Sequence, residues 1–323
     1  MEGCGDLLQS LGPDLSMKIL MCLEDPSDLV RVCSVSSSWR QFVIKNHLSK
    51  QLCLRMFPEI SSVARIIEVE NMIEPVKVKP DNSMEWECLE RDHRVYSFLA
   101  RGLTTSLRKD CISEAFGASS TDHYPEESIH NTLEPSDMVE DRASYWSSVG
   151  ESDPAVPEML LYELISKLCI ISEIHIQPFQ GYKGVTKAWQ PLLNMAIGAP
   201  KAVRFRMGCP RSLTEIGSDS SDESDAVHES ADNLFEWTYT SPEFPMAQEN
   251  RLQKFKLPEP VLCIGGILQI ELLGRAQREE IDGLYYICIS HVQAVGRPLS
   301  LGFDVDIHDP MGRCTLKYYP GAA

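Results

Sequence analysis

The sequence has no CxxC pair, although it holds eleven cysteines between Cys4 and Cys314. No two of them are closer than Cys22 and Cys33, which excludes zinc-knuckle, RING-finger and thioredoxin spacing. No apolar run approaches the ~20 residues that a bilayer-spanning helix needs. The opening Met1–Asp6 shows no basic segment leading into a long apolar one, so no secretory signal is read. Positive charge is also scarce. Lys and Arg number 30 against 47 Asp and Glu, giving a net charge of −17, whereas a nucleic-acid binder needs a positive footprint. GxxxxGK[ST], GxGxxG, HExxH and GxSxG are all absent, and the eight histidines never fall at ligand spacing along a helix. No catalytic residue, metal ligand or cofactor is therefore expected. These absences leave a reduced, intracellular protein, nuclear or cytoplasmic, with no membrane and no nucleic acid among its partners.

What is present is an ordinary globular balance, with 43% hydrophobic and 24% charged residues over 323 positions. That is room for one large or two ordinary domains. The acidity is local. Residues 110–141 and 212–232 carry no Lys or Arg and hold almost all of the net charge, so the rest of the surface is close to neutral.

From Leu11 to Phe42 apolar residues recur at helical spacing. Leu15, Ile19, Leu20 and Leu23 share a face. Pro13 suits a first turn, and Asp14 complements the positive end of the helix dipole. Asp25-Pro26-Ser27 breaks this helix, with Ser27 the predicted N-cap of a second one carrying Leu29, Val30 and Val32. A third runs from about Ser36 through Trp39, Phe42 and Val43, and a fourth carries Leu48, Leu52, Leu54 and Phe57. Leu11, Ile19, Leu20, Leu29 and Val32 are more apolar surface than so small a bundle hides. Either another part of the chain covers the surplus or it is a partner surface.

The run Leu11-Gly12-Pro13-Asp14-Leu15, Ile19-Leu20, Leu23, Leu29, Val32-Cys33, Val35-Ser36 and Trp39-Arg40 resembles an F-box. One departure is Gly12, which sits where that motif usually has proline directly after leucine. The resemblance implies docking on a Skp-family adaptor that bridges to a cullin scaffold. Its expected contacts are Leu11, Pro13, Asp14, Leu15, Ile19, Leu20, Leu23, Leu29 and Val32, with Leu11, Ile19, Leu20 and Leu29 as anchors. Helix-borne aliphatic side chains entering an apolar groove suit that role. Trp39 is read as core of the module.

Residues 84–107 form a longer helix with Trp86, Leu89, His93, Tyr96, Leu99, Leu103 and Leu107 in one stripe, and His93 is read as a partly buried histidine bonded to backbone and not as a ligand. Residues 58–83, including the strand-like Val76-Lys77-Val78, read as linker or irregular packing. Beyond about residue 112 the period moves toward two. Ser172–Pro178, Lys201–Met207, Ile267–Leu272 and Leu284–Val295 alternate or run as strands between turn signals at Gly181, Gly208 with Pro210, Gly265-Gly266 and Asp282-Gly283. This pattern predicts an antiparallel sandwich or jelly roll, so the fold class is α+β and multidomain.

Composition alone makes 110–141 a disordered linker. Against that, Ala118-Ser119-Ser120, Tyr124–Ile129, Ser144–Ser148, Leu160–Leu164, Ile171–Phe179 and Tyr286–Gly296 resemble a discoidin-type, galactose-binding-like jelly roll. The whole resembles a plant group of F-box proteins with such a C-terminal half. Residues 181–200 depart from it, lacking the alternating aromatic strand that the group implies. The expected division is 1–57 F-box module, 58–109 helical packing segment, 110–297 sandwich with acidic loop 212–232, and 298–323 extension. The serines of Ser218–Asp225 are either plain solvated loop or phosphorylation sites.

The resemblance implies a non-catalytic substrate receptor of an SCF-type ubiquitin ligase, holding a target protein on the sandwich. The rival is a carbohydrate-binding module carried on an F-box protein. His123, Tyr145, Trp146, Arg204 and Arg206 are the candidate target contacts. Trp146 also reads as a core residue. Arg204 and Arg206, two apart on one strand face, read either as an anion-binding pair or as the wet side of the sandwich.

Overall fold

The computed structural model describes residues 7–60, 67–69, 83–105, 107–136, 138–139, 142–180, 198–211, 234–280, 282–299, 303–308 and 314–318. The chain divides into two compact units, Met1–Leu107 with Leu299–Ala323, and Arg108–Pro298. Among the described residues no helix is long and apolar enough to cross a membrane.

The first unit opens with α1 (Leu7–Leu20), α2 (Pro26–Cys33), α3 (Ser37–Lys45) and α4 (Leu48–Met56), followed by the long α5 (Ser83–Thr104). α1 begins earlier than its sequence pattern predicts and is broken at Gly12, whose φ of 74° ends one helical segment. Glycine adopts that left-handed backbone without a Cβ penalty, and Pro13 then restarts the helix with its fixed φ. The departure from the usual motif is thus a kink. At α2 the cap is Asp25 and not Ser27. The Asp25 carboxylate accepts the Ser27 N–H at 2.8 Å, while Pro26 takes the first helical position, where no N–H is needed. The Ser27 N–H and side chain together hold the Asp25 carboxyl below the usual range. Ser36 caps α3 by accepting the Trp39 N–H.

Leu20, Leu29, Val43, Leu48 and Leu52 form the core of this bundle, with Leu23 and Val32 packed against it. α5 lies along α4 through Val95, Tyr96, Leu99 and Leu103, all buried. Its polar side ties back through Arg40 to Glu90 at 2.8 Å. The segment expected to be linker contains a short strand, Ile67–Val69. It pairs in parallel with Cys314–Tyr318, which pairs antiparallel with Phe303–Ile307. The C-terminal extension therefore closes a small sheet in the helical unit. Val76-Lys77-Val78 and the terminal residues 319–323 lie outside the described residues.

His93 carries a titration consequence. Its Nδ1 is 2.8 Å from Ser49 Oγ, which also accepts from Ser97, and its Nε2 is 3.9 Å from Cys33 Sγ. Its partners are side chains and not the backbone. Burial, reinforced by the Arg40 and Arg94 charges, pushes the ring down to about 4, and burial pushes the Cys33 thiol up to about 11. Because the folded value lies below the free value near 6.5, the neutral ring's contribution is complete above pH 6.5. It is lost as pH falls toward 4, by about 3 kcal/mol. Hydrogen exchange of α4 and α5 at pH 7 and pH 4, corrected for intrinsic rates, should show a smaller acid loss of protection for His93→Gln than for the parent. Equal losses would remove this role.

The second unit is two packed antiparallel sheets. One has the strand order Phe235–Thr240, Pro200–Pro210, Ile267–Arg275, Glu158–Leu164, Ile112–Ala118, with Phe244–Pro245 added beside Pro200–Pro210. The other runs Gln253–Ile264, Leu168–Pro178, Cys288–Pro298, Lys109–Asp110, with Trp146–Ser147 added. Alternation puts Leu160, Tyr162, Val203, Phe205, Met207, Leu268, Ile270 and Leu272 of the first sheet inward. They meet Ile171, Ile174, Ile176, Phe255 and Val292 of the second in one core. Gly265-Gly266, at φ 101° and 74°, carries the chain from one sheet to the other in two residues. Gly208 is no turn. It lies inside a strand, and a Cβ there would sit 1.9 Å from the Glu236 carbonyl oxygen. The expected strand Leu284–Val295 is interrupted, since Tyr285–Tyr286 pairs with Gln277–Arg278 before Cys288–Pro298 begins. The stretch 110–141, expected from composition to be a disordered linker, contains strand Ile112–Ala118 and a 3₁₀ turn at Ile129–Leu133 whose Thr132 bonds the buried Tyr162 hydroxyl at 2.8 Å. Most of the 181–200 segment and all of the 212–232 loop lie outside the described residues.

Candidate functional site

The candidate docking face is the outer side of α1. Leu15 and Ile19, one turn apart, are 53% and 52% exposed. Pro13 and Asp14 are exposed beside them, and Leu11 is half-buried. The next pair round the helix, Ser16 and Leu20, faces inward at 1% and 7%. Leu20 and Leu29, expected as anchors, are core residues of the bundle. Leu23 and Val32 are likewise half-buried against that core. The reason is geometric. Ile19 and Leu20 are ~100° apart on the helix, so only one can point to solvent. Leu7 and Val35, both exposed, extend the apolar surface of the unit; Val35 belongs to the F-box-like run, but neither residue stands among its expected contacts. Trp39 is half-buried.

The candidate target contacts on the second unit do not form one site. Trp146 is fully buried in the core and its Nε1 donates to the Ser120 carbonyl at 3.0 Å. Tyr145 stacks on Phe179 with centroids 3.9 Å apart, and its hydroxyl donates to Glu127 Oε1 at 2.6 Å. The Trp146 ring is therefore closed off, and one face of the half-buried Tyr145 ring is taken by Phe179. Burial, with the Glu127 bond second, raises the Tyr145 phenol far above its usual range. Arg204 and Arg206 do share the outward strand face. Arg204 is paired with Glu271 at 2.9 Å and Glu243 at 3.3 Å, while Arg206 lies 5.0 Å over the Trp237 ring and bonds Gln269. Their charges are already answered within the sheet. His123, 70% exposed, is the most open of the five and lies beside Asp122 and Glu127.

A further feature left no mark in the sequence pattern. Arg275 is 0% exposed and Glu158 2%. The Arg275 Nη2 donates to Glu158 Oε1 at 2.5 Å, Nη1 to Ser148 Oγ and to the Val149 and Tyr285 carbonyls, and Nε to the Val156 carbonyl. Glu158 also accepts from Ser119 and Ser120. This network ties the loops at that end of the sandwich to its central strands.

An F-box-like family model matches residues 8–55, the stretch that folds as α1 to α4. Over 315 residues the chain is 47% identical to F-box protein At4g00755 of Arabidopsis thaliana, covering 97% of this chain and 81% of that relative. The chain is an F-box protein.

Solved structures similar to part of this F-box protein include two carbohydrate-binding modules from Clostridium perfringens. One is the family 32 module of NanJ in complex with galactose, 9% identical, covering 60% of this chain and 96% of that one, with a TM-score of 0.32. The other is CBM32-3 of a family 31 glycoside hydrolase, 11% identical, covering 60% and 97%, with a TM-score of 0.36. A third is reduced XRCC1 bound to the DNA polymerase β catalytic domain, 10% identical, covering 58% and 97%, with a TM-score of 0.32. These likenesses are distant, and no ligand of the F-box protein follows from them.

Proposed function

We propose that this F-box protein is the substrate-recognition subunit of an SCF-type cullin ubiquitin ligase, and that it works inside the cell, in nucleus or cytoplasm. The observation that carries the reading is the outward Leu15–Ile19 pair, which lies within the residues matched by the F-box-like model. Two aliphatic side chains half-exposed on one helix face suit insertion into an apolar groove on a Skp-family adaptor. The adaptor bridges to the cullin, and the sandwich holds the target protein. The chain then contributes position and not bond chemistry. A target tethered beside a ubiquitin-loaded partner meets it at high effective concentration.

The test is gel filtration of the purified full chain with a purified Skp-family adaptor. A stable interface of roughly 1,600 Å² should give a single complex at micromolar concentrations. Separate elution of the two proteins under those conditions overturns the proposal.

A further inference from the structure

The end of the sandwich brings together three side chains that no step above uses. His123 Nδ1 lies 3.1 Å from Asp122 Oδ2 and 3.6 Å from Glu127 Oε1, and one donor atom from each residue falls within 4.8 Å of the other two. These spacings have a meaning beyond an ion pair. Two ligand atoms each ~2.0–2.1 Å from a tetrahedral zinc ion stand about 3.3–3.4 Å apart. The two histidine distances bracket that edge.

The backbone that carries the three groups is fixed independently of them. The Asp122 N–H donates to the Ser147 carbonyl, the Ser147 N–H to the Glu127 carbonyl, and the Glu127 N–H to the His123 carbonyl at 2.8 Å. Glu127 is further aimed by the Tyr145 hydroxyl, whose ring is held by the stack on Phe179. An outer hydrogen bond to a ligating carboxylate is the usual support of a metal ligand. Among the described residues no Lys or Arg is ion-paired to Asp122 or Glu127, in contrast to Glu173, Glu236 and Glu271, which pair with arginines on the sheets. Among the described residues, His123 is the group that faces both carboxylates.

We propose that Asp122, His123 and Glu127 form a divalent transition-metal site of the zinc class, with three protein ligands and an outward coordination position open to solvent. One imidazole and two carboxylates favour such an ion over calcium, which takes six to eight oxygen ligands. His123 is 70% exposed, so the open position faces outward, where a histidine or carboxylate of another molecule can complete the shell.

The probe is zinc chloride titrated calorimetrically into the full chain, its thiols kept reduced by a non-chelating phosphine. The parent should bind one more zinc equivalent than the Asp122→Asn, Glu127→Gln variant. Asp122 is exposed, and Glu127, whose side chain is 18% exposed, keeps as glutamine an amide oxygen that accepts the Tyr145 hydroxyl, so both changes remove charge without changing shape. Tyr145→Phe keeps the ring stack, removes the hydroxyl, and should weaken that one equivalent by about 10–100-fold. Identical stoichiometry and affinity in parent and double variant would overturn the site, because the zinc would then be held elsewhere. No binding by the parent at 0.1 mM zinc (about the weakest affinity of use here) would overturn it too. A loss in the double variant with no change in Tyr145→Phe would uphold the ligands and remove Tyr145 as their positioning residue.

Discussion

Leu15→Asp with Ile19→Asp is expected to abolish co-elution of the chain with a Skp-family adaptor while leaving the helical unit folded. Both side chains are half-exposed, so their replacement costs the fold little, within about 0.5 kcal/mol at such surface sites. In a complex the same positions would sit in an apolar groove. Truncating a central anchor of an interface costs about 2 kcal/mol or more, and burying an unpaired carboxylate there adds to it. Two such changes should weaken binding at least ~100-fold. The contrasting pair is Leu20→Ala and Leu29→Ala. These residues are 7% and 3% exposed and belong to the bundle core, so each should destabilise the unit by about 2–5 kcal/mol. Their loss of adaptor binding would report unfolding and not a lost contact. Circular dichroism of each variant separates the two causes. If the Leu15, Ile19 variant stays folded and still co-elutes with the adaptor, α1 is not the docking helix.

The same comparison shows what was legible in the residues. The helical period and the change to alternation near residue 112 follow from which side chains must be buried, and both correspond to elements of the structure. The face of α1 was not legible, because Leu15, Ile19, Leu20 and Leu23 all satisfy a helical stripe and only the core shared with α2, α3 and α4 decides which are covered. Val305 and Leu316, both buried, show the second limit. Their strands look like a tail in sequence; they pair with each other, and Cys314–Tyr318 finds its second partner only across more than 240 residues, at Ile67–Val69. The cluster at Asp122, His123 and Glu127 was hidden for a related reason. His123 and Glu127 are four apart, yet no apolar helical period surrounds them, and a turn pinned to Ser147 brings the donors together.

Arg275 is the clearest case of a residue whose weight is invisible in sequence, and Arg275→Met should be among the most damaging substitutions in the second unit. The methionine keeps much of the volume of the stem but supplies none of the donors. Glu158, 2% exposed, would be left as a buried carboxylate whose remaining donors are Ser119 and Ser120. The Val149, Val156 and Tyr285 carbonyls would each lose a partner as well. Removing one member of a buried ion pair costs about 3–5 kcal/mol. Because the chain has two units, a single unfolding curve does not isolate this loss. Hydrogen exchange of the strands Glu158–Leu164 and Ile267–Arg275 does, and their protection should fall by about two to three and a half orders of magnitude. The double replacement Arg275→Met, Glu158→Met removes both charges, so it should recover part of the loss and expose a coupling between the two sites. Additive losses in the double variant would mean that the arginine acts through its carbonyl contacts alone. Unchanged protection in Arg275→Met would mean that the network does not hold the loop end in place, and the rigid seat it gives to Val149 and Tyr285 would have to come from the Glu151–Tyr285 backbone bonds.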